Sequence, residues 1–188
     1  MTQANYRAET REKLKRVSTA TLATLLFKRG LRNQFIQDVH PLARKGENMV
    51  GPAFTLRYIP AREDLNELAV FRDPEHPQRR AVEMAPEGSV MVFDSRKDAR
   101  AASAGSILVG CGDVAVWPGD IMVGDGEGVI VIPRAIVDEV ADEAFEMTVF
   151  EDFVLEQVQN GAQIIGLYPP THQDSQTAFA EWRKKTGR

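Results

Sequence analysis

The segment Trp117–Pro133, WPGDIMVGDGEGVIVIP, sets acidic residues among glycines in a way that could hold a cation or a phosphate. A helix-loop-helix calcium site needs a glutamate at the twelfth loop position and then a helix. Counted from Asp120, the twelfth residue is Val131, which lies in a strand-forming run. Phosphate and dinucleotide loops need GxxxxGK[ST], or GxGxxG entering a helix, and the segment has neither. Two β-rich runs joined by GDGEG instead predict a hairpin with a bulged loop.

Cysteine and histidine offer no local site for a metal or a nucleophile. Cys111 is the single cysteine, which excludes an internal disulfide and a cysteine-rich zinc site and favours a bystander thiol. His40, His76 and His172 are widely separated in the sequence, so they form no local metal motif. Each is expected on the surface. The pattern therefore predicts no metal ligand among these residues.

The composition is that of one globular domain. The chain has 188 residues, of which 43% are apolar and 27% charged, and this is enough for a single domain with a proper core. The net charge is −4 and basic residues cluster only at 11–16 and 183–188, so we expect no nucleic-acid partner. The apolar runs are too short to span a bilayer, and the N-terminus lacks a signal-peptide core. We therefore predict a cytoplasmic protein with no membrane partner.

The N-terminal quarter is predicted to be helical. Residues Glu9–Lys15 are charged and helix-prone, and Ser18 caps a second helix whose leucines form an apolar stripe before Gly30 ends it. Proline and glycine then punctuate the chain as far as Gly51–Pro60, where apolar and polar residues alternate as in a strand. The loop that follows is expected to contain a short helix at Leu65–Phe71.

Helices and strands alternate in the rest of the chain. A helix at Arg79–Met84 is predicted to lead into the buried strand Ser89–Asp94. The alanine-rich segment Asp98–Leu108 is predicted to begin a helix. After the hairpin, a long amphipathic helix is predicted from Pro133 to Asn160-Gly161.

Three stretches resemble one protein family in the same order. They are Thr19–Gly30 (TATLATLLFKRG), Val92–Leu108 (VFDSRKDARAASAGSIL) and Val116–Arg134 (VWPGDIMVGDGEGVIVIPR). Both their order and their local spacing are similar to the RraA-like family, which includes 4-hydroxy-4-methyl-2-oxoglutarate aldolases. The likeness covers Val17–Ala144 with one interruption. In that family the third stretch is a structural hairpin that leads into the long C-terminal helix.

The resemblance implies an α/β fold of the swivelling β/β/α type, with a helical N-terminus and a long C-terminal helix. This domain is expected over residues 1–166, followed by a tail at 167–188 with a short helix that carries Phe179 and Trp182. The family also implies a trimer or hexamer with active sites between subunits. Its enzymes use Mg²⁺ or Mn²⁺ to cleave or decarboxylate 2-oxo acids through a pyruvate enolate, because the chelated cation polarises the carbonyl as a Lewis acid.

The resemblance also implies where the substrate binds. The family's glycine-led turn, whose backbone amides hold the substrate carboxylate, matches Gly105, Ser106, Ile107 and Leu108. Free N–H groups suit an anion, and glycine permits its close approach. From the residues alone, Gly105 is better explained as a packing glycine, and the resemblance reverses that preference. Ser106 stands where family aldolases often have an acid.

A larger departure from the family follows this turn. The family continues into a glycine-rich strand and a DGxxRD motif, whose Arg grips the substrate and whose last Asp holds the metal. Here the chain passes from Val109 directly to Gly110, as if several dozen residues were absent. We therefore predict that the natural chain carries an insertion after about Val109, and catalytic residues are not assigned. Arg96 and Asp98 are expected to form a solvated turn and a helix cap.

Two classes of function follow from the resemblance. The first is a metal-dependent lyase that acts on a 2-oxo acid by retro-aldol cleavage or decarboxylation. The second is a non-catalytic regulator that binds ribonuclease E, as some members of the family do. The missing Arg-Asp motif favours the second function if the chain is complete, and the first if a segment has been lost.

Overall fold

The computed structural model describes residues 6–43, 46–59, 69, 72–94, 101–104 and 107–188. Within these ranges the helices are α1 (Ala8–Leu14), α2 (Thr19–Lys28), α3 (Pro77–Met84), α4 (Val137–Gln159) and α5 (Gln173–Thr186). The strands are β1 (Met49–Ile59), β2 (Val90–Asp94), β3 (Ala101–Ala104), β4 (Val109–Cys111), β5 (Val114–Val116), β6 (Ile121–Gly124) and β7 (Val129–Ile132).

Strand β1 organises the main sheet. Its first residues pair with β6 in antiparallel fashion, and β6 pairs in turn with β7. Its middle residues pair with β2 in parallel, and its last residues pair with β3 in antiparallel fashion. Strands β4 and β5 form a separate two-stranded hairpin. The parallel pair of β1 and β2 is the part of the fold that matters most for the site, because both strands end at the same edge.

The helices α1, α2 and α4 cover one face of the sheet. Helix α2 begins where predicted: the Ser18 hydroxyl accepts a hydrogen bond from the Thr21 amide at 3.1 Å and so caps the helix. The apolar faces of these helices pack on β6 and β7 and form a core of fully buried side chains. That core includes Leu14, Leu22, Leu26, Ile121, Ile130, Ile132, Val137 and Val140.

The hairpin and the long helix predicted from the sequence are confirmed. Strands β6 and β7 pair from Ile121 opposite Ile132 to Gly124 opposite Val129. A short 3-10 turn, Arg134–Ile136, then leads into α4. Helix α5 packs against α4 through the predicted aromatic residues: Trp182 lies 5.7 Å from Phe153 between ring centroids. No helix in the described part of the chain combines the length and apolarity needed to cross a bilayer.

The prediction of a helix in the alanine-rich segment is wrong for its described residues. Ala101–Ala104 is strand β3, paired with β1 from Leu56 to Ile59. The helix preference of alanine is worth less than 1 kcal/mol per residue, whereas pairing satisfies the hydrogen-bonding groups along the end of β1. Residues 95–100, 105 and 106 lie outside the described ranges, as does all of the predicted Leu65–Phe71 helix except Ala69.

Two other expectations bear on the region around the site. His76, expected on the surface, is buried immediately before α3, and its carbonyl accepts hydrogen bonds from the amides of Arg79 and Arg80. At the interruption in the family pattern, the chain forms the β4–β5 hairpin. Its turn contains Gly112 and Asp113, both with positive φ. The predicted insertion near this point stays a prediction.

Candidate functional site

An arginine and an aspartate meet where the two parallel strands end. Arg57 on β1 lies directly opposite Asp94 on β2. The Arg57 Nε is 3.1 Å from Asp94 Oδ2, and the side chains are 32% and 11% exposed. Because the pair lies at the carboxyl edge of a parallel pair of strands, it occupies the usual position of a ligand site in an α/β sheet. The guanidinium is partly exposed and its orientation is set by a largely buried carboxylate.

The segment predicted to bind the substrate lies beside this pair. The Thr55 hydroxyl donates to the Ile107 carbonyl at 2.6 Å, and Arg57 Nη2 donates to the Leu108 carbonyl at 3.0 Å. Ile107 and Leu108 are therefore attached to the end of β1. Gly105 and Ser106, the other two residues of the predicted turn, lie outside the described residues.

A polar cleft of about 530 Å³ opens next to the Arg57–Asp94 pair. Asp38 and Asp113, both with positive φ, also line it. The turn of the β4–β5 hairpin forms one wall, and it packs closely on the chain opposite. A Cβ at Gly112 would lie 2.5 Å from the backbone nitrogen of Gln37. The complete lining is Gln37, Asp38, Arg57, Asp94, Gly110, Gly112 and Asp113.

The donor atoms of the cleft suit a hard divalent cation. Carboxylate oxygens are the ligands that Mg²⁺ prefers, and this ion is commonly held by one or two carboxylates while water and substrate complete its shell. Among the described residues, no group of three or more His, Cys, Asp or Glu side chains is placed to hold a metal ion. A cation bound here would therefore have few protein ligands among the described residues, with water and substrate completing its shell.

Known proteins that resemble this chain in sequence or structure have the fold described above. Residues 19–111 match the model of the RraA-like family, which is described as Aldolase/RraA. This chain belongs to the RraA-like family. The family includes both aldolases or lyases and inhibitors of ribonuclease E.

Solved structures with the RraA-like fold cover most of the chain. One is RraAS2 of Streptomyces coelicolor, described as an unusual member of the RNase ES inhibitor RraA protein family. It is 22% identical with a TM-score of 0.65, over 81% of this chain and 98% of that one. A second is an uncharacterized protein from Pseudomonas syringae pv. tomato, 17% identical with a TM-score of 0.62, over 87% of this chain and 93% of that one.

A third similar structure is described as that of novel cellulases from microbes associated with the gut ecosystem. It is 18% identical with a TM-score of 0.61, over 79% of this chain and 88% of that one. No curated protein matches the chain significantly. At these identities the solved structures establish the fold alone.

The acidic hairpin of the RraA-like chain is structural. Asp125 accepts hydrogen bonds from the amides of Thr19, Glu127 and Gly128 at 2.7, 2.8 and 3.3 Å. Asp120 accepts from the Trp117 amide at 2.9 Å. Burial raises the pKa of Asp120, although backbone hydrogen bonds oppose the rise. Both carboxylates thus accept hydrogen bonds from backbone amides in and around the hairpin, in agreement with the prediction that this segment is structural.

Two other features of the RraA-like chain are weaker candidates. A larger cleft of about 1080 Å³ is lined by residues 39–41, 43 and 46–49 and by residues 124–129 of the hairpin. None of the described residues that line it is an arginine or a lysine, in contrast to the cleft that Arg57 lines. Cys111 is partly buried. Burial, the larger cause, and the negative charge of Asp94, the smaller one, raise the pKa of its thiol. The thiol therefore stays protonated at neutral pH and is a poor nucleophile.

Arg57, Asp94, Asp38 and Asp113 were not among the residues predicted for the site. One feature of the sequence could have pointed to Arg57 and Asp94, since both lie near the ends of predicted strands. Their pairing depends on those strands being parallel neighbours, which neither strand's pattern indicates. Asp38 and Asp113 lie in irregular segments and carry no comparable signal.

Proposed function

We propose that this RraA-like protein is a divalent-cation-dependent lyase that cleaves or decarboxylates a 2-oxo acid through a pyruvate enolate. The observation that carries the proposal is the Arg57–Asp94 ion pair, which lies at the carboxyl edge of β1 and β2 and contacts the Ile107–Leu108 segment. The family supports it, since its model is described as Aldolase/RraA. The substrate is a small 2-oxo acid.

Arg57 is proposed to bind the carboxylate of the substrate. A guanidinium has five N–H donors in a planar fork, so it can bind Asp94, Leu108 and an incoming carboxylate together. Asp94 keeps the guanidinium at the rim of the cleft. This pair would take over the gripping role of the Arg in the family's DGxxRD motif, which the sequence lacks.

Asp38 and Asp113 are proposed to hold Mg²⁺ or Mn²⁺ in the cleft. When bound, such a cation supplies Lewis-acid polarisation of the 2-oxo group. A retro-aldol cleavage also needs a base that accepts the proton of the substrate hydroxyl, and no residue is assigned to this role. By analogy with the family, the working protein is a homotrimer or hexamer.

The cation requirement is tested by measuring pyruvate release from oxaloacetate and from 4-hydroxy-4-methyl-2-oxoglutarate. We expect activity with Mg²⁺ or Mn²⁺, loss of activity in excess chelator, and recovery when Mn²⁺ is restored, because the developing negative charge needs the cation. Undiminished turnover in excess chelator would contradict the proposed mechanism.

The role of Arg57 is tested with Arg57→Gln and Arg57→Lys. A hydrogen bond to a charged group contributes about 1.5–3 kcal/mol, so loss of the guanidinium should lower kcat/KM by roughly 10- to 100-fold. Arg57→Lys should recover only part of this, because an ammonium cannot form the bidentate contact. Arg183→Gln is the matched control, since Arg183 forms a bidentate pair with Glu146 between α5 and α4. Equal losses in Arg57→Gln and Arg183→Gln would contradict the assignment.

A non-catalytic regulator of ribonuclease E is the second candidate. The observation that favours it is the absence of the DGxxRD motif from the sequence. The RraAS2 structure, whose description names an RNase ES inhibitor family, is consistent with it. Inhibition of RNA cleavage by ribonuclease E, together with no turnover of either oxo acid in the presence of Mn²⁺, would select this function over the lyase.

A further inference from the structure

Two side chains of β1 hold the backbone of residues 107 and 108. The hydroxyl of Thr55 donates to the Ile107 carbonyl at 2.6 Å, and Arg57 Nη2 donates to the Leu108 carbonyl at 3.0 Å. Thr55 and Arg57 are two residues apart on a strand, so they project from the same face. Thr55 is 1% exposed, and its hydroxyl is therefore shielded from water that would compete for the carbonyl.

These hydrogen bonds also set the direction of the amides that follow the two carbonyls. A trans peptide unit is planar, and its C=O and N–H point in opposite directions. Because Thr55 holds the Ile107 carbonyl toward β1, the N–H of Leu108 in the same peptide unit is directed away from β1. Leu108 is 44% exposed, so solvent and small solutes reach this residue.

We propose that Thr55 is a positioning residue for the carboxylate of the substrate. By holding the Ile107 carbonyl, it turns the Leu108 amide outward as a donor to the oxo acid. The inference rests on the proposed function and adds to it a buried residue that touches no reacting atom. A carboxylate bound by the Leu108 amide and the Arg57 guanidinium accepts charge-assisted hydrogen bonds from both.

The experiment compares Thr55→Val, which removes the hydroxyl at nearly the same volume, with Thr55→Ser, which keeps it. Without the hydroxyl the peptide after Ile107 loses its fixed orientation, which weakens substrate binding but leaves the reacting groups in place. We expect Thr55→Val to raise KM for oxaloacetate about tenfold with kcat within about twofold. Thr55→Ser should restore KM. Calorimetric titration with oxalate measures binding without turnover. We expect the wild type and Thr55→Ser to bind oxalate more tightly than Thr55→Val.

Thr21→Val is the matched control, because Thr21 is also buried and its hydroxyl bonds to Glu151, at 3.1 Å. It should lower stability and leave KM and oxalate affinity unchanged. Thr55→Ala replaces Thr55→Val if the latter does not fold. The proposal is overturned if the variant without the hydroxyl binds oxalate like the wild type, if no protein binds oxalate, or if Thr21→Val raises KM equally. Oxalate binding that depends on Thr55 without any turnover would instead refute the lyase and leave the assignment of Thr55 in place.

Discussion

Asp125 links the hairpin turn to the start of α2 through its hydrogen bonds to the amides of Thr19, Glu127 and Gly128. Burial acts to raise the pKa of Asp125, but these hydrogen bonds outweigh it, and the net pKa lies below the ordinary value. A carboxyl whose pKa is lower in the folded state stabilises the protein above its unfolded pKa of about 4. This contribution is lost as the pH falls through the folded pKa.

We therefore predict that Asp125→Ala lowers the free energy of unfolding by about 1–3 kcal/mol at pH 7, because it removes hydrogen bonds to a charged acceptor. The difference from the wild type should shrink as the pH falls below about 4, because the unfolded chain then binds a proton that the folded carboxylate binds only at lower pH. Urea unfolding at pH 7 and at pH 3 measures both effects. Glu127→Ala, at an exposed position of the same turn, should be close to neutral. A pH-independent effect of Asp125→Ala would contradict the linkage.

At the scale of elements, the site depends on the close approach of β1 and β2. Gly51 lies near the start of β1, and a Cβ there would overlap the carbonyl oxygen of Gly88 and lie 3.1 Å from Val90 Cγ2. A side chain at this position must push β1 away from the start of β2. The register that sets Arg57 opposite Asp94 begins two residues further along β1, at Ala53.

We predict that Gly51→Ala lowers the free energy of unfolding by about 1–3 kcal/mol, the usual cost of overpacking. It should also lower the proposed lyase activity, because a shift of β1 relative to β2 would displace the Arg57–Asp94 pair. Gly126→Ala is the control, because a Cβ at Gly126 would meet no other part of the described chain within 4 Å. Urea unfolding measures the change in stability, and the pyruvate assay measures the change in activity. Equal stability of the two variants would show that the strands adjust without strain.

At the scale of the whole molecule, large apolar side chains remain exposed on the single chain. Phe27 is 60% exposed, Ile164 55% and Ile165 85%. Exposed apolar side chains that lie together commonly mark a site of protein association, and Ile164 and Ile165 are adjacent in the sequence. The family resemblance also implies a trimer or hexamer. We predict that light scattering gives a mass of three or six times the 20.9 kDa of the chain. A single-chain mass at all concentrations would refute this assembly.

Local patterns in the sequence were sufficient for elements whose stabilising partners lie close in the chain. The β6–β7 hairpin was predictable because its strands pair across a turn of a few residues. The cap at Ser18 and the amphipathic helix α4 were predictable for the same reason, since their hydrogen bonds span one turn of helix. The resemblance to the family added the family itself and the expectation that Ile107 and Leu108 belong to the substrate-binding turn.

Only the tertiary structure brought the parts of the candidate site together. Arg57 and Asp94 are 37 residues apart, and Thr55 and Ile107 are 52 apart. The first contact exists because β1 and β2, distant in sequence, are neighbours in one sheet, and the second because Ile107 lies beside β1. Side-chain alternation along a strand does not reveal such partners. The same pairing made Ala101–Ala104 a strand, since hydrogen bonding to β1 outweighed the weak helix preference of alanine.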